Sequence, residues 1–533
     1  ESVAIGYRAL KVQNAGAAAY NTAVGYDAGV AVTTGTLNTL VGGLSGDAFT
    51  EGGGNTALGY KTLSADTLGR LSTAVGQQAL SLQNFTTSVQ AYNTAVGYHA
   101  GRTITTGVQN TIFGSLAGDA LTDADYNVAI GMGALTADTL GSRSVAIGPF
   151  ALEAQNFTTA TTSHNVAVGN HAGLSITTGV SNTIVGSLAG DALTDADHNT
   201  AVGAGALTAD TLGSKSTALG KNALYTQNFT TATDSFNVAV GHEAGLLITT
   251  GTHNTLIGAT AGDAITSGNN NVAIGYQTLT SNTLSDVNVA IGNFALATLN
   301  HTTSTDAYNV AIGHSAGGAV TTGINNTLIG GLTGDALTTG SYNVAVGFEA
   351  LSTEDAHGNN VAVGNRALKT LNAGAAGLNV AVGDDAGTSI TTGVQNTLVG
   401  SQAGDALTDA DFNVAIGINS LTADTLGSRS IAIGDSALAT QNFTTATNTY
   451  NIAIGYSAGL RVTTGVRNVV IGGNALDANT VGSKSVAIGY ATLGAQNPTT
   501  ATDMFNTAVG YEAGNAVTTG TNNTLIGAAA GDA

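Results

Sequence analysis

The sequence predicts an all-β fold, a parallel β-solenoid of about 30 coils, with 17 residues in most coils and 19 to 21 in every fourth coil. Three observations predict it. A pentad that opens with Asn or Ser, continues with β-branched or apolar residues and ends with Gly occurs 30 times. Most of these pentads begin 17 residues apart. Glycine accounts for 74 of the 533 residues and no 3.6-residue period is visible, which excludes helices.

The coils are grouped in units of four. From Asn93 the steps between pentads are 17, 17, 17 and 21 residues, which gives a unit of 72 residues. The run NTAVGYDAG at Asn21 therefore recurs as NTAVGYHAG at Asn93 and as NTAVGYEAG at Asn506, each time at the start of a unit. We expect residues 1–533 to form a single continuous solenoid array. Since both ends of the sequence fall inside repeats, we also expect it to be a segment of a longer fibrous protein.

Each coil is predicted to begin with a strand. In 21-NTAVGYDAGVAVTTGTL-37 we expect a strand from Asn21 to Tyr26, a turn at 27–29, and a second short strand from Val30 to Thr34. Gly35 then returns the chain to the next coil, because glycine accepts the positive φ angles of tight turns. Each strand is expected to pair in parallel with its copy one coil away.

The first pentad residue is Asn in 24 coils and Ser in six. Stacked Asn side chains can hydrogen-bond to one another along a β-stack, so we predict an Asn ladder. The alternative is that each Asn only sets its local turn. The predicted ladder includes Asn21, Asn38, Asn55, Asn93, Asn110 and Asn127.

Both faces of the predicted strand are apolar. Pentad positions two and four are expected to fill the coil interior, and position three is expected to face outward. Position three is Ala in 22 coils and Leu, Ile or Val in the second coil of each unit. An exposed apolar stripe needs a cover, so we predict a parallel homo-oligomer that packs through it; the alternative is a wide monomeric coil with both faces inside. The predicted interface residues are Ala23, Leu40, Ala95, Ile112, Ala167, Ile184, Ala239, Leu256, Ala311, Leu328, Ala381 and Leu398.

The pentads resemble a known family of repeats. SVAIGY at Ser2, NVAIGY at Asn271 and SVAIGY at Ser485 are similar to the YadA-like head repeats of trimeric autotransporter adhesins. Similar NTAVGYxAG runs occur in phage tail fibres and in fibre proteins of large algal viruses. The resemblance covers the whole chain. It implies a left-handed parallel β-roll, a homotrimer and a surface-exposed adhesive fibre.

The long coils carry candidate glycosylation sites. Asn-x-Thr occurs at Asn84, Asn156, Asn228, Asn300 and Asn442. The sixth 21-residue coil has Asn497-Pro498, which blocks the motif, and the two 19-residue coils keep the Asn without a hydroxyl residue two places later. A turn-forming Asn explains all of these coils, so it is preferred over glycosylation.

Acidic residues recur in the turns. In 118-GDALTDAD-125, Asp119, Asp123 and Asp125 resemble a short set of oxygen ligands for Ca²⁺, but the EF-hand spacing is absent. We interpret them as solvated turn carboxylates. The nine His residues form no ladder and no ligand spacing, so we expect no metal and no cofactor. No nucleophile–base pair repeats, so we expect no enzymatic activity.

The long coils also present aromatic residues. Most of them carry one just before the next pentad, where it can contact sugars or close the turn: Tyr20, Tyr92, Phe236, Tyr308, Tyr450 and Phe505.

The composition excludes some classes of binding partner. The net charge of −20, with only 14 Lys and Arg, argues against nucleic-acid binding, and no run of 18 apolar residues predicts membrane insertion in this segment. We expect an extracellular fibre shaft on a cell or virion surface, with a host-surface glycan or protein receptor as partner. A passive matrix filament without a receptor is the alternative. An ice-binding solenoid is a third interpretation, disfavoured because the motif TTG holds its place only once in four coils.

Overall fold

The computed structural model describes residues 1–532, and over them the protein is a parallel β-solenoid with about 17 residues per turn and no helix, as predicted. None of these residues forms a helix that is long and apolar enough to span a bilayer. The chain divides into two compact units, Glu1–Gly268 and the unit that begins at Asn269. The single array over 1–533 therefore stays a prediction.

The first unit contains 15 three-residue strands and six two-residue strands among its described residues. The three-residue strands are Val3–Ile5, Thr22–Val24, Thr39–Val41, Thr56–Leu58, Thr73–Val75, Thr94–Val96, Thr111–Phe113, Val128–Ile130, Val145–Ile147, Val166–Val168, Thr183–Val185, Thr200–Val202, Thr217–Leu219, Val238–Val240 and Thr255–Ile257. The two-residue strands are Gly69–Arg70, Val89–Gln90, Gly141–Ser142, Thr161–Thr162, Gly213–Ser214 and Thr233–Asp234.

The second unit has the same numbers of each kind within its described part. Its three-residue strands are Val272–Ile274, Val289–Ile291, Val310–Ile312, Thr327–Ile329, Val344–Val346, Val361–Val363, Val380–Val382, Thr397–Val399, Val414–Ile416, Ile431–Ile433, Ile452–Ile454, Val469–Ile471, Val486–Ile488, Thr507–Val509 and Thr524–Ile526. Its two-residue strands are Ser285–Asp286, Thr305–Asp306, Gly427–Ser428, Thr447–Asn448, Gly482–Ser483 and Thr502–Asp503.

Each three-residue strand occupies positions two to four of its coil, where position one is the Asn or Ser that opens the pentad. Neighbouring strands pair in parallel and in register, so that Ala95 lies opposite Ile112, and Ile112 lies opposite Ala129. The two-residue strands join each 21-residue coil to the coil before it, as Gly141 with Thr161. Equal positions of successive coils therefore form columns along each unit.

The second strand predicted from Val30 to Thr34 is wrong, because this segment is a turn. Asp27 and Gly29 both have left-handed backbone angles, with φ of 54° and 56°, and they bend the chain every second residue. The N–H groups of Ala31 and Thr33 still donate to the carbonyls of Asp47 and Thr50 in the next coil. The turns are thus hydrogen-bonded from coil to coil without being extended.

The predicted orientation of the strands is also wrong. In every three-residue strand except the first and the last of the chain, the middle residue is buried and the two flanking residues are partly or fully exposed. The cause is position one, which shares a face with position three. The Asn110 side chain reaches across the coil interior and donates from Nδ2 to the carbonyl of Ala124 at 2.8 Å, so position three must also point inward.

The position-three residues therefore cannot be an outward oligomer interface. All twelve residues of the predicted interface are at most 1% exposed within the single chain: Ala23, Leu40, Ala95, Ile112, Ala167, Ile184, Ala239, Leu256, Ala311, Leu328, Ala381 and Leu398.

The large position-three residues fill interior space that glycine leaves at position nine. A Cβ atom on Gly101 would lie 2.9 Å from Ile112 Cδ1, and one on Gly118 would lie 3.3 Å from the same atom. In the third and fourth coils of a unit the sizes are exchanged, with Ala at position three and a buried Leu, such as Leu135 or Leu152, at position nine. Interior volume thus accounts for the Leu and Ile residues that the sequence analysis assigned to an interface.

The pentad glycine is required by a close backbone approach. A Cβ atom on Gly383 would lie 2.4 Å from the carbonyl oxygen of Gly400 in the next coil, and Gly383 has a φ of 145°. By contrast, a Cβ on Gly374 would meet no heavy atom within 4 Å.

We predict that Gly383→Ala lowers the free energy of unfolding by at least about 2–3 kcal/mol, because the methyl group meets backbone at a φ that L-residues avoid. Gly374→Ala, nine residues earlier, should change it by less than about 0.5 kcal/mol. Urea unfolding followed by circular dichroism measures both. Equal effects of the two substitutions would contradict the close-approach explanation.

Candidate functional site

The outward side chains of the three-residue strands form an uncharged strip of Thr and apolar residues, which we call the outer sheet face. It consists of positions two and four, which hold only Thr, Val, Ile, Leu or Phe and no charged residue. None of these side chains is fully buried. Leu58, Phe113 and Leu219 are 47%, 56% and 45% exposed.

The strip is long in each unit. Fifteen in-register strands give 14 spacings of about 4.8 Å, or roughly 67 Å, and two side chains on one face of a strand lie about 6.7 Å apart. The strip therefore covers roughly 450 Å² in each unit. This lies within the range of about 300–600 Å² for the largest apolar patch of a typical monomer, and such patches are often functional. The outer sheet face is the strongest candidate for a binding surface, and the sequence analysis had placed it inside the coil.

Aromatic rings flank this face at position six. The rings of Tyr7 and Tyr26 stack with their centroids 5.3 Å apart, and those of Tyr490 and Tyr511 with centroids 5.5 Å apart. All four rings are exposed, so they widen the apolar surface where they occur.

The Asn side chains of position one form a hydrogen-bonded ladder. Asn93 Oδ1 accepts the backbone N–H of Asn110 at 2.9 Å, and Asn110 Oδ1 accepts that of Asn127 at 2.9 Å. Asn21, Asn38 and Asn55 make the same contacts, at 2.9 and 3.0 Å. These side chains are at most 1% exposed, so the ladder joins coils to one another and offers no binding surface.

A buried Asp side chain lies in four of the coils that precede a long coil, and the sequence analysis missed it. Asp138 is fully buried; its Oδ2 accepts from Gln155 Nε2 at 2.6 Å, and its Oδ1 accepts from the N–H groups of Gly141 and Phe157. Burial removes water from the carboxylate and raises the pKa of Asp138 above its ordinary value of 3.8, while the hydrogen bonds to the carboxylate oppose this rise. The sequence signal was an Asp at position 12 followed 17 residues later by Gln; the pairs are Asp66–Gln83, Asp138–Gln155, Asp210–Gln227 and Asp424–Gln441.

The Asn residues of the Asn-x-Thr motifs have a structural partner. Asn156 Oδ1 accepts the hydroxyl of Thr139 in the preceding coil at 3.0 Å, and Asn497, which lacks the motif, accepts that of Thr480 at 2.8 Å. The hydrogen bond therefore explains the Asn with or without a motif. Glycosylation stays the untested and less favoured alternative at five exposed residues: Asn84, Asn156, Asn228, Asn300 and Asn442.

The recurring turn carboxylates each have their own donor. Asp119 accepts from Thr136 Oγ1 and Asp123 from Thr106 Oγ1, both at 2.6 Å, while Asp125 accepts from a backbone N–H. These contacts support turn-forming carboxylates over a Ca²⁺ site.

The aromatic residues that end the long coils adopt left-handed backbone angles. Tyr92, Tyr308 and Tyr450 have φ of 51°, 50° and 50° and side chains that are about half exposed. Their backbone closes the turn, while the rings stay accessible. The same holds for Tyr20, Phe236 and Phe505.

One coil departs from its unit. Glu354, Asp355 and His357 offer ligand atoms that all lie within 4.8 Å of one another. Glu354 is fully buried, and its Oε1 lies 3.4 Å from His357 Nδ1. The sequence analysis missed this group because it searched for repeated spacings; the signal was STEDAHG at 352–358, where the other units have sequences close to TADTLGS.

No protein-family model matches the chain, and no curated protein sequence matches it. The similarity to YadA-like head repeats therefore stays a prediction.

We predict that Asn110→Ala costs about 1–3 kcal/mol, because it leaves the buried Asn127 N–H and Ala124 carbonyl without partners. Amide hydrogen exchange at Asn127 measures the local loss of protection. Asn170→Ala, at an exposed position, is the matched control and should leave that amide unchanged. Unaltered exchange in Asn110→Ala would show that the ladder does not stabilise the coils.

The raised pKa of Asp138 predicts a pH effect on stability. A carboxyl whose pKa is higher in the folded chain binds more protons there, so its contribution to stability is largest at acidic pH and falls as pH rises through the folded pKa. Asp138→Asn removes this titration. The unfolding free energy of the wild type minus that of the variant should decrease from pH 4 to pH 8, by about 1.4 kcal/mol per unit of pKa difference. A difference that rises with pH would contradict the assignment.

Proposed function

We propose that the chain is the shaft of an extracellular fibre, which assembles from parallel copies through the outer sheet face and presents its long coils at a cell or virion surface. The observation that carries the proposal is the outer sheet face itself. In each unit it is continuous, uncharged and uncovered within one chain. A surface of this kind on a strongly acidic protein is typical of a contact with another macromolecule.

A second copy of the same chain is the partner that fits this surface. Its strands carry the same spacing of about 4.8 Å, so the side chains of two parallel copies can interdigitate over the length of a unit. No Asp or Glu occupies position two or position four, so the net charge of −20 places no like charges within the contact. Each unit offers one such strip, which favours a closed bundle about one axis; three copies agree with the resemblance to trimeric adhesin heads.

The long coils are the proposed attachment sites. They recur every fourth coil, or roughly every 19 Å at the strand spacing, and six of them end in an exposed aromatic ring. Exposed Tyr and Phe rings can pack against the apolar faces of sugars or against a protein receptor. Without such a receptor the same assembly would be a passive matrix filament.

Ice binding is disfavoured by the threonine column at position 13. The hydroxyl of Thr33 donates to the carbonyl of Thr50, and that of Thr122 donates to the carbonyl of Thr139. These hydroxyl groups are already engaged between coils, so they do not form a free array for lattice water.

Light scattering of the purified chain tests self-assembly. We predict a mass near three times 52.3 kDa for the wild type. Ile416→Asp, on the outer sheet face, should shift the mass towards 52.3 kDa at micromolar concentration while β-structure by circular dichroism is retained. Gln395→Glu adds the same charge at an exposed turn and should leave the mass unchanged. A wild-type mass of one chain at all concentrations would refute the proposal.

A further inference from the structure

In one coil of the second unit, a cluster of ionisable side chains stands where the corresponding coils have a buried Asp or Asn. In the other coils that precede a long coil, position 12 is Asp or Asn, position 13 is Thr, and position 15 is Gly or Ser. In the coil that starts at Asn343, the same positions hold Glu354, Asp355 and His357. All three are residue types that bind metal ions.

The buried carboxyl of this coil has lost its usual partner. Each buried Asp at position 12 is matched by a Gln at position 12 of the next coil, which donates to it, as Gln155 does to Asp138. Opposite Glu354 this position is Leu371, which is fully buried and has no polar group. The other coil that faces a Leu, Leu299, carries the neutral Asn282 at position 12. Glu354 thus keeps an ionisable carboxyl in an interior where position 12 of the next coil supplies no side-chain amide for it.

Two backbone groups bond to Glu354, and one side-chain atom in the cluster has no partner. The N–H of His357 donates to Glu354 Oε1 at 3.0 Å, and the N–H of Ala373 donates to Oε2 at 3.1 Å. His357 Nδ1 is shielded from solvent, makes no hydrogen bond, and lies 3.4 Å from Glu354 Oε1. Buried polar atoms almost always have a partner, so the unbonded Nδ1 beside a buried carboxylate points to a missing positive centre.

A side chain at the position of His357 would not fit in a coil that has the buried Asp. In the coil from Asn127, a Cβ atom on Gly141 at position 15 would lie 2.1 Å from Asp138 Oδ2, so no side chain fits beside the buried Asp. At position 15 of the Asn343 coil a His side chain is present and is part-buried, with its ring beside the carboxyl of Glu354. The coil therefore accommodates a nitrogen ligand that the Asp-containing coils cannot.

We infer that Glu354, Asp355 and His357 form a binding site for one divalent first-row transition-metal cation, of which Zn²⁺ is the reference. Their ligand atoms all lie within 4.8 Å of one another, so small side-chain rotations would bring all three onto one ion at bonds of about 2.0–2.2 Å. Imidazole nitrogen with two carboxylates favours Zn²⁺ or its neighbours over Ca²⁺ and Mg²⁺, which prefer oxygen ligands alone. The cation would balance the buried carboxylate, with water in a fourth position.

Calorimetric titration of the full, chelator-treated chain with Zn²⁺ tests the site. We expect one Zn²⁺ per chain, and at least a tenfold loss of affinity in His357→Ala and in Asp355→Asn. His253→Ala removes an exposed histidine in the first unit and should bind as the wild type does. Leu371→Gln is a second probe; it supplies Glu354 with the amide that the Asp-containing coils have, and it should weaken Zn²⁺ binding without removing any ligand.

The outcomes separate the site from its alternatives. Saturable binding that is lost in both ligand variants and kept in His253→Ala supports the inference. Binding that survives His357→Ala identifies adventitious carboxylate contacts and overturns it. Absence of Zn²⁺ binding by the wild type, together with an imidazolium signal of His357 in NMR at neutral pH, would show that a protonated histidine balances Glu354, which also overturns it. Circular dichroism of each variant checks that the coils remain folded.

Discussion

The close approach of the backbone at successive pentad glycines is the constraint on which the rest of the structure depends. The space for a side chain at Gly97 is occupied by the carbonyl oxygen of Gly114, and the space at Gly114 by that of Gly131. Because this contact recurs at the same position of successive coils within each unit, neighbouring strands pair in one register. Identical positions then lie above one another, and Asn meets Asn in the interior. A residue larger than glycine at this position would separate the coils and break the column.

The sequence was sufficient to predict the fold class, the coil length and the stacking of Asn, because each depends only on the period. It was insufficient for the orientation of the strands. A strand such as 94-TAV-96 has apolar residues on both faces, so no contrast of polar and apolar residues distinguishes inside from outside. The orientation follows from a hydrogen bond that the sequence pattern does not show. The Asn110 side chain crosses the coil interior and donates to the Ala124 carbonyl, so pentad positions one and three must face inward.

The interior is more polar than the repeat suggests. Asn at position one and Asp138 with Gln155 place amide and carboxyl groups within the coil, and each finds a partner in a neighbouring coil. Removing one partner of a buried hydrogen bond leaves the other unpaired and lowers the stability of the fold. The residue at position 12 of one coil therefore changes together with the residue at position 12 of the next. Leu299 accompanies Asn282, whereas Leu371 accompanies Glu354 and His357. A search for repeated spacings could not find the latter group, because it occurs once and is defined by its departure from the repeat.

These observations assign different roles to the faces of a coil. The interior columns hold the coils together, and the outer sheet face is uncovered within one chain. The central claim is that positions two and four, and not position three, meet the partner chain. It can be measured directly because the chain contains no cysteine. Thiol labelling of Ala239→Cys and Val240→Cys should show the first protected in both the assembled and the dissociated protein, and the second protected only in the assembled protein. Rapid labelling of Ala239→Cys in the folded chain, or equal labelling of Val240→Cys in both states, would contradict the account.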